Sequence, residues 1–262
     1  RNQSQFNDAI SHYKKVVEDF PLSGFAEDAL LAIESIYQAR NEPEEYIAYI
    51  EKIGKGASKT EDEKENMIFN SAEQIFMSEN YQKALVSLQS YSEKYPDGAF
   101  VGRTEFYVAE CYRHLGKIEQ ACDVYKKVIA GGDQTLVKLS MLHLSDLSYK
   151  LEKFQDAVEA YETLDKIAQL DNNRLDAKRG LIQSYYMNKN YSKSLIEADI
   201  VLSAQDVDNW VKEMAKYYKA KSCLALGERE KALPLLKEIS KDVTSDNGAE
   251  AAYLLILDAY DA

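Results

Sequence analysis

Residues 80–98 read NYQKALVSLQSYSEKYPDG, and this stretch decides the fold. Tyr81 stands three positions before Ala84, Leu85 follows at once, Leu88 lies four beyond the alanine, and Tyr95-Pro96 closes the run. Residues 5–23, QFNDAISHYKKVVEDFPLS, repeat the arrangement with Phe6, Ala9, Ile10, Tyr13 and Phe20-Pro21. The apolar positions fall at helical spacing and form one stripe of an amphipathic helix. Proline disfavours helical geometry in the residue ahead of it, so each helix stops there.

The small residue and its bulky neighbours return at Ala121, Ala157, Ser194 and Ala232, in steps of 37, 36, 37 and 38 residues from Ala84. Ala9 and Ala84 are 75 residues apart, two such steps, which places a further copy in EPEEYIAYIEKI with Ala48 as its small residue. Self-similarity at a spacing of this size marks a repeat array. Each period holds two helices. In RTEFYVAECYRHLGKIEQACDVYKKVI (103–129), Val108, Ala109, Cys111 and Tyr112 form one stripe, Leu115-Gly116 ends it, and Ile118 opens the next helix. So short a link makes the two helices antiparallel. Alanine or serine lets their backbones approach at the crossing while tyrosine or leucine fills the groove beside it. The expectation is fourteen helices and no sheet.

Composition narrows the function. The formal net charge of -12 opposes a phosphate-backbone partner, which demands a basic patch, and opposes docking on anionic lipid. No apolar run reaches the ~20 residues of a membrane-spanning helix. Cys111, Cys122 and Cys223 form no close-spaced pair. Cys111 and Cys122 could meet across a hairpin, but each sits where a small apolar residue belongs, and buried thiols are the expectation. His12, His114 and His143 fall in different repeats. Cys111 and His114 could share a helix face, but two ligands make no zinc site. The acids at Glu44-Glu45 and in EDEKE (61–65) begin helices, where negative charge suits the helix dipole. Phosphate loops, nucleophile elbows and metalloprotease helices are missing from the sequence. The reading is a chain with no enzymatic activity, no cofactor and no metal.

The register resembles the tetratricopeptide repeat over nearly all 262 residues. The small residue of the first helix is matched by Ala72, Ala109, Ser145 and Ala220, the turn glycine by Gly116 and Gly227, and the closing proline by Pro21 and Pro96. Ile182 departs from the pattern, as does KIGKGASKTEDEKEN (52–66), which replaces a proline turn and reads as a polar, mobile connection. The resemblance implies an all-α solenoid, a right-handed superhelix of antiparallel helix pairs forming one domain over 1–262. About seven repeats are expected, with half-repeats at both ends. The terminal helices lack polar capping faces, which predicts a segment of a longer array. In style the repeats are similar to those of bacterial cell-envelope proteins: the barrel-assembly lipoprotein, the periplasmic Tol-Pal coordinator, and long repeat proteins of Bacteroidetes. A periplasmic or envelope location is what that similarity implies.

In this family the first helix of each repeat lines a concave groove that holds a protein or peptide. Carried onto this chain, the groove comprises Phe69, Glu73 and Phe76, then Phe106, Glu110 and Arg113. It continues with Leu142, Asp146 and Tyr149, then Arg179, Gln183 and Tyr186, and ends with Tyr217 and Lys221. Aromatic rings among scattered charges suit recognition. Phe69, Phe106 and Tyr217 are expected to be partly exposed, whereas Tyr13, Tyr112, Tyr125 and Tyr161 are expected in the core. The Lys-before-Asn pairing that captures acidic chaperone tails has no counterpart here, which disfavours that class of adaptor. Two readings follow: a non-catalytic scaffold holding an extended or helical partner segment, and a structural spacer within a longer solenoid.

Overall fold

The computed structural model describes residues 2–131, 133–167, 171–205 and 207–261. The described residues form fourteen α-helices and one short 3-10 turn, with no strand. Two compact units divide the chain, Arg1–Val124 and Tyr125–Ala262, and the division falls within a helix.

In the first unit the order is α1 (Asn2–Asp19), α2 (Gly24–Ala39), α3 (Pro43–Lys52), α4 (Glu61–Met77), α5 (Tyr81–Lys94) and α6 (Val101–His114). The division lies in α7 (Ile118–Gly131). The second unit continues with α8 (Gln134–Lys150), α9 (Phe154–Ile167), α10 (Asp171–Met187) and α11 (Tyr191–Ser203). It ends with α12 (Asn209–Ala225), α13 (Arg229–Ile239) and α14 (Asp246–Asp261). From α1 to α6 and from α8 to α14 successive helices pack on one another, and first helices also touch across the intervening second helix: α4 with α6, then α8 with α10, α10 with α12, and α12 with α14.

The small residues lie where the register requires them. Ala72, Ala84, Ala109, Ala121, Ser145, Ala157, Ser194, Ala220 and Ala232 are all buried. The bulky residues beside them, Leu88, Tyr125, Tyr161 and Leu236, are buried too. Tyr13 corrects the expectation, since it is 38% exposed, and Tyr112 is only half-buried. Cys111, Cys122 and Cys223 are buried thiols outside any disulfide, and burial pushes the Cys111 thiol up to about 12.

Six turns join a first helix to its second helix, and each turns through a left-handed residue. These are Asn41, Glu79, Gly116, Glu152, Lys189 and Gly227, so only two of the six are glycine. In five of them the paired bonds of a Schellman motif are present. At the third turn, for example, the Gly116 amide donates to Arg113 at 3.1 Å and the Lys117 amide to Tyr112 at 2.9 Å. A side chain in this conformation costs roughly 1–2 kcal/mol that glycine avoids. Glu152→Gly and Lys189→Gly are therefore expected to stabilise the chain by up to ~1 kcal/mol each, and Gly116→Ala to destabilise it by a similar amount. Urea midpoints of the three variants check the sign; a lower midpoint for Glu152→Gly would contradict it.

The second repeat departs from the sequence reading. Glu42 caps α3 and Pro43 takes its first position, so Tyr46, not Ala48, stands in the small-residue slot. Tyr46 is buried while Ala48 is exposed. The facing slot on α2 holds Glu34, close enough to Tyr46 that burial and then this carboxylate raise the phenol's pKa. A tyrosine and a glutamate thus replace two small residues at this crossing. The connection expected to be mobile is anchored: Lys59 pairs with Glu34 at 2.8 Å, and Thr60 and Glu63 form a capping box at the start of α4. Lys64 adds bridges to Glu51 at 3.1 Å and Glu61 at 2.7 Å.

Ile182 fits for a different reason. The neighbouring bulky position on α11 holds Ala198, and both lie in one buried cluster with Val201 and Ala215. Volume removed from one helix makes room on the other.

Candidate interaction face

The first helices carry the residues singled out in the sequence. On α4 and α6, Phe69 is fully buried rather than partly exposed, stacked on Phe100 at a centroid distance of 4.3 Å. The reason is the loop before α6, which folds its phenylalanine onto the helix. Glu73 accepts from the Tyr107 hydroxyl at 2.8 Å and from the Arg103 guanidinium. Phe76 packs against Tyr107 and Tyr81. Glu110, expected to line the groove, is also buried, with Arg113 donating to it through Nε at 3.2 Å. Phe106 is half-buried, 6.1 Å from the Tyr107 ring.

In the second unit, α8, α10, α12 and α14 lie side by side. Asp146 is exposed and accepts from the Tyr161 hydroxyl. Burial raises the Tyr161 pKa, and this carboxylate raises it further. Tyr149 packs on Phe154, and burial, then Tyr149, raises the Tyr218 pKa. Tyr217 is the second ring expected at the surface that is buried. Lys221 and Glu250 explain this, because they meet over it. The Lys221 ammonium donates to the Tyr217 hydroxyl and to Glu250, each at 3.0 Å, and lies 4.9–5.9 Å from the rings of Tyr186, Tyr217 and Tyr218. Tyr186 rests against Tyr191 and Tyr218, and Gln183 is half-buried beside it.

The remaining candidates meet at an open face. Leu139 is 42% exposed, and with Lys138, Leu142 and Asp176 it lines a shallow cleft floored by Leu164. Arg179 pairs with Asp176 at 3.5 Å and lays its guanidinium 5.3 Å from the Trp210 ring centre. Trp210 is 53% exposed and did not emerge from the sequence reading. The signal was there: it lies seven residues before Tyr217, on the same stripe of α12.

A second charged cluster is structural. Lys178 of α10 bridges Asp165 of α9 and Glu197 of α11, both at 2.8 Å. Burial alone would lower the Lys178 pKa, but the two carboxylates outweigh it and the net direction is up. Among the described residues no group of three metal-binding side chains comes together, and no helix is long and apolar enough to cross a membrane.

Comparison with known proteins agrees with this geometry. The family profile described as Tetratricopeptide repeat matches residues 104–130, which hold α7 and most of α6. The TPR repeat-containing protein MJ0263 of Methanocaldococcus jannaschii is 34% identical over 85 residues, covering 31% of this chain and 26% of that protein. The chain therefore spans about a quarter of the length of the curated relative it matches. Among solved structures, the MamA RS-1 ArsTM double mutant superposes with a TM-score of 0.53 at 11% identity, over 75% of this chain and 97% of that one. A STAND protein with a tetratricopeptide repeat sensor from Pyrococcus horikoshii gives 0.50 at 19% identity, over 97% of this chain and 44% of that one. These two likenesses bear on the fold alone. Paired helices at a constant period, a left-handed residue in every inner turn, and small residues at the crossings carry the same conclusion from within: the chain is a tetratricopeptide-repeat protein.

Proposed function

We propose that the chain is a non-catalytic scaffold, a single repeat array whose first-helix face holds an extended or helical segment of a partner protein. The observation that carries this reading is the face of α8, α10 and α12, where Leu139, Leu142 and Trp210 present apolar surface among Lys138, Asp176 and Arg179. A half-exposed indole held by an arginine is a pre-set anchor, and such rings dominate binding energy at interfaces. Phe69 and Tyr217 are not anchors: the loop before α6 covers the first, and Lys221 with Glu250 covers the second. The net charge of -12 favours a partner with apolar anchors and some basic character.

The competing reading is a structural spacer within a longer solenoid. The buried aromatics and intramolecular ion pairs on α4, α6 and α12 favour it, since those faces are spent on internal packing.

A photo-crosslinking amino acid at Leu142 separates the two. The scaffold reading expects a discrete adduct in cells of the source organism, lost in Trp210→Ala, whose melting temperature stays within ~2 °C of the parent because the ring is half-exposed. A uniform background at Leu142, the same as from a probe at exposed Lys126, would leave the spacer.

A further inference from the structure

At three places where neighbouring first helices meet, the register pairs two side chains 29 or 30 residues apart. Between α4 and α6 the pair is Glu73 and Arg103, which bond to each other. Between α12 and α14 it is Lys221 and Glu250, at 3.0 Å. Opposite charges join the helices at both. Between α8 and α10 the pair is Asp146 and Asp176, two acids. Asp146 is exposed and accepts from the Tyr161 hydroxyl. Asp176 and Arg179, 3.5 Å apart, both act electrostatically on that same hydroxyl, so the three charges share one neighbourhood. Arg179 also lies against the Trp210 ring. One arginine faces two carboxylates, and a negative charge is left over.

The α4–α6 copy shows what balances such a slot. Arg103 bonds to Glu73 and lays its guanidinium 4.8 Å from the ring centre of Phe69, one turn before that acid. Moved on by two repeats, Phe69, Glu73 and Arg103 become Leu142, Asp146 and Asp176. Leu142 lines an open cleft with Leu139 and Asp176, and no arginine of the chain stands where Arg103 would. At its other end the cleft has Lys138. Lys138, Leu142 and Asp146 follow at one-turn steps along α8, so base and acid stand ~12 Å apart with the leucine midway. Each step of ~6 Å matches two residues of an extended chain, whose alternate side chains point the same way.

We propose that an extended segment of a partner protein lies along α8 with three alternate side chains engaged: an acid at Lys138, an aliphatic residue over Leu139 and Leu142, and an arginine between Asp146 and Asp176. The proposal rests on the scaffold reading and names the chemistry of its partner. Arginine is chosen because its planar fork bonds two carboxylates at once and its stem covers apolar surface, as Arg103 does in the closed copy. The middle residue is aliphatic because the cleft, about 30 Å³, admits the tip of a branched side chain and not a ring.

The test is fluorescence anisotropy with the full chain and a labelled peptide centred on Glu-Thr-Val-Thr-Arg, whose β-branched residues favour an extended backbone. Reversing the peptide would restore both ion pairs, so the probes change one charge and never exchange the two. Saturable binding is expected, weakened about fivefold when the peptide's arginine becomes glutamate. Asp176→Lys should reverse that preference with little change in melting temperature, because the carboxylate is half-exposed. Leu139→Ser should abolish binding. No saturable binding, equal affinity for the two peptides, or an unchanged preference in Asp176→Lys would overturn the proposal. Self-association in sedimentation that disappears in Leu139→Ser would overturn it too, since a second copy would then be the occupant. A crosslinked adduct at Leu142 that persists in Asp176→Lys would remove the arginine and leave the scaffold reading intact, whereas no adduct in the parent chain would remove both.

Discussion

Gly180→Ala is expected to destabilise the chain by about 2–3 kcal/mol, although the same change at an exposed helix position would stabilise it by roughly 1 kcal/mol. A Cβ at Gly180 would lie 2.2–2.4 Å from the ring atoms of Tyr161, where real contacts do not occur. The ring has no easy retreat: Tyr161 is buried within the cluster of Leu164, Leu181 and Tyr185, and its hydroxyl is held by Asp146. A loss of this size corresponds to a melting shift of about 5–10 °C for a chain of this length. Tyr161→Leu in the same chain should recover much of it, with a coupling of at least ~1 kcal/mol in a double-mutant cycle. Denaturant melts of the four proteins decide the matter. A higher midpoint for Gly180→Ala alone would show that the ring does not occupy the glycine's space.

Alkali is expected to unfold the protein in a narrow window above pH ~10, the ordinary tyrosine pKa. Tyr91, Tyr161, Tyr185, Tyr217 and Tyr218 all have raised pKa values, in each case from burial first. Carboxylates add to the effect: Glu65 on Tyr91, Asp146 on Tyr161, Glu162 on Tyr185 and Glu250 on Tyr217. Burial, and then Glu18 and Tyr37, push Tyr49 up to about 12. The sign follows from linkage. The unfolded chain loses its phenolic protons near pH ~10 while the folded chain keeps them, so the stability is complete below that pH and falls as pH rises toward the folded values. Each such tyrosine removes up to ~1.4 kcal/mol per pH unit, and a few exhaust a typical total of about 5–15 kcal/mol. The raised Lys178 pKa acts in the same direction, through loss of its bridges to Asp165 and Glu197. Phenolate absorbance from the buried rings and helical dichroism, followed together, should change in one shared step above pH ~10. Ionisation of nearly all nineteen tyrosines near pH ~10 with the helices intact would refute the argument.

The two results together show how much of the molecule was legible beforehand. Ala84, Ala121 and Ala157 could be placed at helix crossings from spacing alone, because a small residue at a fixed phase of an amphipathic stripe has few other uses. Ala48 misled: counting from Ala9 ignored Pro43, whose preference for the first helical position would have moved the slot to Tyr46. Phe69 and Tyr217 looked exposed because the family register assigns their positions to the groove. A register names the face a residue leaves from, but not the loop or lysine that folds back over it. Trp210 was missed for the converse reason, lying outside the turns scanned although on the same stripe.

What the sequence determined by itself is the order of elements. Period, small residues, closing prolines and amphipathic stripes are local signals, and fourteen helices follow from them. What only the tertiary structure decided is how neighbours share volume and charge. Tyr161 is paired with Gly180 and Ala198 lies with Tyr218, while Tyr125 meets His143 at 3.1 Å through its hydroxyl. Glu34 faces Tyr46 where two small residues stand elsewhere, and its carboxylate adds to burial in raising the Tyr46 pKa. Close-packed helices hold a nearly constant volume between them, so a large side chain on one helix is tolerated only when its facing residue is small or bonds to it. That constraint acts between residues about twelve to twenty apart, and it appears only once the helices are side by side.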